Sequence, residues 1–151
     1  MMADPILVER REGYAVLTLN RPEASNAMSG PLLVLLIREL DRLEVDDSIR
    51  GLIITGAGRT FCAGMDLKEL QNPNGPMGRP AGIWGEETPN AVARLSRFSK
   101  PVVAAVNGAA VTGGFELALV CDVIVASTLA RFGDTHARVG IISGGGASQL
   151  L

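Results

Sequence analysis

The sequence has few of the residues that mark several common classes of protein. Among 151 residues there are two cysteines, one histidine and 4% aromatic residues. Cys62 and Cys121 lie far apart without CxxC spacing, which predicts buried free thiols in a reducing compartment rather than a disulfide. With a single histidine available, these two cysteines offer no metal site.

Charge and hydropathy exclude further classes. The formal net charge is −2 and 20% of the residues are charged, so the basic surface of a nucleic-acid-binding protein is missing. The most apolar stretch, residues 101–121, is interrupted by Asn107, several glycines and Glu116, and it falls short of a membrane span of ~20 residues. The N-terminus lacks the apolar region of a signal peptide. We therefore expect a cytoplasmic protein of about one domain.

Several catalytic and nucleotide-binding motifs are also missing. The sequence has no GxxxxGK[ST] motif, so no phosphate-cradling P-loop is predicted. The segment GGGAS, residues 144–148, lacks the GxGxxG spacing and the strand context of a dinucleotide site. The segment GGFEL is not a GxSxG elbow, so serine hydrolase chemistry has no nucleophile in place.

The pattern of apolar residues predicts strands that alternate with helices, which is typical of an α/β architecture. Strands are predicted at 6–10, 14–19, 51–56, 100–106 and 122–127. Helices are predicted at 29–46, 86–98 and 113–121, the first capped by Ser29 with Pro31 in its first turn. Residues 71–85 are rich in glycine and proline and predict a mobile loop, in which Trp84 is expected to act as an anchor.

A candidate site begins at Gly113 and Gly114, which precede an apolar helix with Glu116 in its first turn. Exposed N–H groups at such a turn favour developing negative charge, which is the requirement of an oxyanion hole. Glu116 would face the same space if a ligand lay above the helix end. The alternative is a solvated glutamate that only complements the helix dipole, and Glu116 alone does not decide between the two.

Two further segments repeat this pattern of a glycine turn beside a polar residue. After Gly64, Asp66 can begin a short helix, and the N–H of Met65 would point out of the turn as a second donor to one carbonyl. The alternative is an ordinary strand–loop–helix connection. Asp134 can cap a helix that contains His136, whose ordinary pKa of ~6.5 suits proton transfer near neutrality. A lone histidine is more often structural.

At these residues the sequence resembles the enoyl-CoA hydratase/isomerase family, also called the crotonase superfamily. The matching stretches occur in the family's order and cover nearly the whole chain. They are LNRPEASNAMS (19–29), ITGAGRTFCAGMDLKEL (54–70), KPVVAAVNGAAVTGGFELALVCDVIVAS (100–127) and ARFGDTHARVGIISGGGASQLL (130–151).

The resemblance implies a crotonase-like (ClpP/crotonase) superhelix of repeated ββα units over residues 1–151, with subunits that form homo-trimers or hexamers when they have the family's full length. It implies an acyl-CoA thioester as substrate in fatty-acid metabolism, with no separate cofactor, metal or membrane partner. By position, the N–H groups of Met65 and Gly113 form the oxyanion hole and Glu116 activates water. The resemblance places Asp66, Leu67 and Lys68 along the substrate and Ala24 and Ala63 near the nucleotide end of CoA.

Two departures from the family pattern qualify this hypothesis. Hydratases of the family usually carry a second glutamate, the proton donor to the α-carbon, where this chain has His136. Family members also usually continue beyond position 151, so the chain resembles a core domain truncated at its C-terminal end. The alternatives to hydration are another crotonase-type reaction that uses His136, and a homologue or fragment that binds acyl-CoA without turnover.

Overall fold

The structure, a computed structural model, describes residues 4–72 and 90–151. The strands are β1 (Ile6–Arg11), β2 (Gly13–Leu19), β3 (Ile49–Gly56), β4 (Thr60–Cys62), β5 (Val102–Val106), β6 (Ala109–Val111), β7 (Val123–Ala126) and β8 (Arg131–Gly133). The helices are α1 (Gly30–Glu44), α2 (Leu67–Leu70), α3 (Ala91–Leu95), α4 (Gly113–Leu119) and α5 (Ala147–Leu150). Two 3₁₀ turns cover Pro22–Ala24 and His136–Val139.

Helix α1 illustrates how the apolar spacing of the sequence becomes a packed face. Leucines at 32, 36, 40 and 43 recur every three or four residues and are all buried. The Ser29 hydroxyl accepts a hydrogen bond from the N–H of Leu32 at 3.4 Å, and Pro31 lies in the first turn, where it removes no helical hydrogen bond. The predicted helix over 29–46 is therefore confirmed to within two residues at either end.

The strands form two sheets that are built by one repeated unit. The larger sheet has the order β1-β2-β3-β5-β7, in which only β1 and β2 are antiparallel and form a hairpin. The smaller sheet has the order β4-β6-β8 and is parallel. Each of the pairs β3/β4, β5/β6 and β7/β8 thus places one strand in each sheet before the chain turns helical. This is the ββα unit that the family resemblance implied.

The smaller sheet was not predicted from the apolar pattern. Each of its strands has three residues, which is too short for a periodicity of two to be recognised. Its importance lies in its ends, because β4 leads into the turn before α2 and β6 leads into the turn before α4. Phe61, Cys62 and Ala110 from these strands are fully buried in the same apolar core as α1 and β3.

The remaining sequence predictions are met in part. Helix α3 begins after Asn90, whose side chain accepts a hydrogen bond from the N–H of Ala93 at 2.9 Å, and it ends at Leu95 rather than at 98. Most of the predicted loop 71–85, with Trp84, and the start of the predicted helix 86–98 lie outside the described residues. Both cysteines are free thiols, Cys62 buried and Cys121 half-buried. None of the described helices is long and apolar enough to cross a membrane.

Candidate active site

Two strand–turn–helix connections meet at the centre of the candidate site. The first runs from β4 through Gly64 into α2, and the second runs from β6 through Thr112 into α4. A Cβ atom added to Gly64, which has φ +90°, would lie 3.1 Å from the backbone nitrogen of Gly113. A Cβ added to Gly113 would lie 3.9 Å from the backbone nitrogen of Met65. The two turns therefore touch through glycines, with the two predicted donor groups side by side.

The backbone of Met28 fixes the orientation of the first turn. Its N–H donates to the carbonyl of Gly64 at 2.7 Å, and its carbonyl accepts from the N–H of Asp66 at 3.1 Å. These two bonds pair Met28 with Met65 in an isolated parallel bridge. In such a bridge the central residue directs its own N–H away from the partner. Within residues 4–72 and 90–151, neither the N–H of Met65 nor that of Gly113 donates a hydrogen bond.

Thr112 holds the second turn in an unusual backbone conformation. Its φ of 54° and ψ of −125° are sparsely populated for a residue with a branched side chain. Such strain costs about 1–3 kcal/mol and persists only where the surroundings impose it. Here the N–H of Thr112 donates to the carbonyl of Gly133 at 3.0 Å, and its hydroxyl bonds the Thr135 hydroxyl. The conformation turns the N–H of Gly113 out of α4.

Glu116 is fully buried, with 0% of its surface exposed, so the alternative of a solvated glutamate is wrong. Its Oε1 accepts hydrogen bonds from the N–H of Gly145 at 2.6 Å and from the Ser143 hydroxyl. A Cβ at Gly145 would lie 2.6 Å from the carboxylate carbon, so a larger residue there would force the Glu116 carboxylate to shift. The other oxygen, Oε2, has no hydrogen-bond partner in the described part of the chain.

His136 lies opposite the free oxygen of Glu116. The His136 side chain is 5% exposed, and its Nε2 is 3.6 Å from Oε2 of Glu116. Its Nδ1 is 2.5 Å from Oδ1 of Asp134, which also accepts the backbone N–H of His136 at 3.0 Å. These two hydrogen bonds hold the pKa of Asp134 below its ordinary value, and the bond from the backbone N–H has the larger effect. The predicted capping by Asp134 is wrong: the segment is a 3₁₀ turn whose N-cap residue is Thr135, without a side-chain cap. Asp134 lies one residue earlier and accepts the N–H of His136 instead.

The two turns, Glu116 and His136 face one cavity with mainly apolar walls. The residues that line it are Met28, Leu33, Met65, Asn90, Ala91, Val92, Gly113, Glu116, His136 and Ile141. A second cavity shares Met65 and Ile141 with the first and continues past Ala63, Leu67 and Thr112. The site therefore combines a carboxylate and an imidazole with two backbone donors inside a largely apolar enclosure.

The other residues predicted to bind substrate lie on one side of this site. Ala24 and Ala63 are brought together because the N–H of Ala63 donates to the carbonyl of Ser25 at 3.1 Å. Asp66 caps α2 through a 3.1 Å hydrogen bond from the N–H of Lys68, and its other oxygen pairs with Arg21, also at 3.1 Å. Leu67 and Lys68 are exposed. The binding roles of these residues stay predictions.

Three contacts of the site were missed by the sequence analysis. Ser143 and Gly145, which bind Glu116, lie immediately before and within the glycine cluster 144–148, to which the sequence analysis gave no role toward Glu116. Thr135 was passed over between Asp134 and His136. No local pattern predicts which distant carboxylate a glycine cluster will approach. Within the described residues, no group of three or more His, Cys, Asp or Glu side chains is placed to hold a metal ion.

The two sheets and the paired turns define a crotonase-type fold, and comparison with known proteins gives the family. A crystal structure of an enoyl-CoA hydratase from Mycobacterium tuberculosis H37Rv is 45% identical with a TM-score of 0.78, over 97% of this chain and 59% of that one. The model of the enoyl-CoA hydratase/isomerase family matches residues 9–151. The chain belongs to this family.

Curated relatives agree with this assignment. The 2,3-dehydroadipyl-CoA hydratase of Escherichia coli (strain K12) is 43% identical over 146 residues, which cover 97% of this chain and 55% of the relative. The short-chain-enoyl-CoA hydratase of Clostridium acetobutylicum is 39% identical over 152 residues, which cover 100% of this chain and 57% of the relative. The chain thus spans about half the length of the curated relatives it matches.

Proposed function

We propose that the protein adds water to the double bond of a 2-enoyl-CoA thioester. The observation that carries this proposal is the buried Glu116 carboxylate, whose Oε2 is free of hydrogen bonds among the described residues and lies 3.6 Å from the Nε2 of His136. A buried carboxylate without a full set of partners is costly to maintain, which favours a chemical role over a structural one. The relatives named as enoyl-CoA hydratases support the same reaction.

The N–H groups of Met65 and Gly113 would stabilise the charge that develops on the substrate. Attack of water on the β-carbon moves the electron pair of the double bond toward the thioester carbonyl, whose oxygen becomes negative. Two preorganised donors in an apolar enclosure stabilise such an oxygen strongly, since no water has to reorganise. The contact between their two turns supports this role, because it holds both N–H groups next to one cavity.

Glu116 and His136 together account for the protons. Glu116 takes one proton from the attacking water, while the oxygen and the other hydrogen become the hydroxyl on the β-carbon. Protonated His136 delivers its Nε2 proton to the α-carbon, where the electron pair of the enolate forms the new C–H bond. The proton on Glu116 then returns to Nε2 of His136, across a gap that is 3.6 Å in the resting structure. Both groups are thereby restored.

A second candidate is another crotonase-type reaction on an acyl-CoA, in which His136 acts as the main acid or base. The observation that favours it is Asp134, since an imidazole with a carboxylate behind its Nδ1 is a common arrangement for proton transfer. His136→Glu separates the two candidates. A higher hydration rate in this variant would favour the first reaction. A lower hydration rate would favour the second, in which the imidazole itself is required.

The test of hydration uses the purified chain, with circular dichroism to establish that it is folded. Turnover of a short 2-enoyl-CoA is expected, and Glu116→Gln should lower it by roughly 10²–10⁴-fold because an amide cannot accept the proton. Glu12→Gln is the matched control, since Glu12 is an exposed residue at the hairpin turn. Folded chain that binds acyl-CoA without turnover would replace this proposal with a binding role.

We also infer that the chain assembles as a homo-trimer or hexamer in the cytoplasm and needs no cofactor beyond the CoA of its substrate. Support for assembly comes from large apolar side chains on the surface, among them Leu129 at 73% exposure and Ile142 at 90%. Sedimentation of the purified chain tests the assembly, and a monomer at all concentrations would contradict it.

A further inference from the structure

We propose that Asp134 is a positioning residue that keeps the proton of neutral His136 on Nδ1, so that Nε2 is the ring atom that exchanges protons in the cavity. The part of this inference that concerns turnover rests on the proposed hydration. The part that concerns the imidazole tautomer does not, and it can be measured without substrate.

The contacts of Asp134 decide where the imidazole proton lies. Its Oδ1 is 2.5 Å from Nδ1 of His136 and accepts the backbone N–H of the same residue at 3.0 Å. An ionised carboxylate only accepts hydrogen bonds, so the close Nδ1 must be the donor. An aspartate with its ordinary pKa of ~3.9 is already ionised at neutral pH, and the hydrogen bonds from His136 lower the pKa of Asp134 further. The neutral ring therefore has its lone pair on Nε2.

The other side of the ring makes this choice consequential. Nε2 points to Oε2 of Glu116 at 3.6 Å, and both side chains are shielded from solvent in the described structure. A lone pair on Nε2 can receive the proton that Glu116 has taken from water. The opposite tautomer would already hold a proton on Nε2, so the return transfer would have no acceptor. Asp134 would thus govern the resetting of the site rather than the binding of substrate.

The removal of Asp134 should reverse the tautomer for a specific reason. Without Asp134, the carboxylate of Glu116 is the remaining acceptor next to the ring, and its Oε2 has no other partner among the described residues. The neutral ring would then gain by carrying its proton on Nε2 and donating to Glu116. The competing explanation is that Asp134 only orders the backbone at the start of the turn His136–Val139, through its bond to the N–H of His136.

Asp134→Ser separates these two roles. Serine retains an oxygen that can accept the backbone N–H of His136, whereas its shorter side chain does not reach the ring. The matched control is Asp46→Ser, because Asp46 makes the same bond to the backbone two residues on, from the N–H of Ser48 at 3.1 Å, and none to the histidine. Asp134→Asn is the conservative variant, since its amide oxygen can still accept from Nδ1.

The measurement is the pair of imidazole nitrogen chemical shifts in ¹⁵N-labelled protein, taken at a pH where their titration is complete on the neutral side. His136 is the only histidine, so the signals need no assignment. The unaltered chain and the Asp46→Ser control should show the shifts of a ring protonated on Nδ1. Asp134→Ser should show the shifts of a ring protonated on Nε2, or a mixture of the two. Asp134→Asn should again show the Nδ1–H pattern. An Nε2–H pattern in the unaltered chain, or no change in Asp134→Ser, would overturn the proposal.

Kinetics then test the link to hydration. Asp134→Ser should lower kcat by roughly 10²-fold, at the low end for general acid–base catalysis, and should leave KM almost unchanged. A rise in KM by a similar factor, with kcat unchanged, would contradict the resetting role. If the folded chain hydrates no substrate but the tautomers follow the expected series, the hydratase proposal fails and the assignment of Asp134 stands. If the Asp134→Ser variant unfolds, the tautomer of the unaltered chain still tests the proposal, because an Nε2–H pattern there would overturn it.

Discussion

The two strand–turn–helix connections of the site share one local design and use their carboxylates in opposite ways. Each begins at a three-residue strand of the smaller sheet, passes a glycine and enters a helix. In the first, Asp66 caps α2 and pairs with Arg21 at 3.1 Å. In the second, Glu116 lies inside the protein with one oxygen aimed at His136.

The difference between the two carboxylates follows from their distance into the helix. Asp66 precedes α2, where its side chain reaches the free N–H groups of the helix end and stays partly exposed. Glu116 is the fourth residue of α4, so its side chain points from the helix face into the cavity. A carboxylate at a cap is already satisfied by the backbone, whereas one a turn further in depends on partners from elsewhere. The second arrangement leaves Oε2 of Glu116 without a hydrogen-bond partner in the described part of the chain.

Among the variants that leave both carboxylates in place, the largest expected effect comes from removing the donor at the first turn. Met65→Pro deletes the backbone N–H without touching Glu116, and we expect turnover to fall by roughly 10²–10³-fold, as it does when one oxyanion donor is lost. Met65→Leu retains the N–H and is the matched control. Steady-state hydration of a short 2-enoyl-CoA measures both variants. Equal activity of the proline and leucine variants would remove Met65 from the oxyanion hole.

The contact between the two connections is tested next, by Gly114→Ala. A Cβ at this position would lie 2.1 Å from the carbonyl oxygen of Cys62, which is backbone and cannot swing aside. We expect the free energy of unfolding to fall by about 1–3 kcal/mol through overpacking, measured by urea denaturation. Gly51→Ala is the control, because its added Cβ would lie 3.4 Å from its nearest neighbour, an ordinary contact. Equal stability of the two variants would contradict the close packing of the turns.

The sequence predicts those parts of the fold that are specified by local periodicity. Helix α1 repeats leucines on one face, and β2 and β3 are long enough to be recognised, so their positions were confirmed. The smaller sheet was missed because its strands have three residues each and are specified by parallel pairing with distant segments. The ββα repeat is also hidden from sequence, since its three units begin at unequal intervals, at residues 49, 102 and 123.

The sequence predicts residues of the candidate site, but only some of the contacts between them. The glycine turns and Glu116 were identified from the pattern, and the family resemblance assigned their roles. The unpredicted contacts are those that join distant segments, such as Gly145 to Glu116 across 29 residues and Thr135 to Thr112 across 23. Tertiary packing decides which polar groups meet, so no local rule specifies these pairs.

A smaller effect is expected where the first carboxylate is removed. Asp66→Ala loses both the cap of α2 and the ion pair with Arg21, whose side chain is 23% exposed. We expect the free energy of unfolding to fall by about 1–2 kcal/mol, since capping and a partly shielded ion pair contribute modestly. Asp66→Asn should retain the cap and lose less. If hydration by Asp66→Ala fell as far as that by Glu116→Gln, the two carboxylates would not differ in role as argued.

The smallest effect concerns the two thiols, which lie at the end of β4 and just beyond α4 and therefore report on the two connections separately. Burial raises the pKa of each, Cys62 and Cys121, to about 12, and a hydrogen bond from the N–H of Gly64 partly opposes this at Cys62. A raised pKa leaves almost no thiolate at pH 8, whereas unfolding returns the thiol to its ordinary value of ~8.5, where a substantial fraction ionises. Alkylation by iodoacetamide at pH 8 should therefore be slow in the native protein, faster at the half-buried Cys121 than at Cys62, and rapid for both in denaturant. Mass spectrometry of each cysteine peptide measures the two alkylation rates. If Cys62 of the native protein reacted as fast as Cys121, the first turn would open more readily than its packing against Gly114 allows.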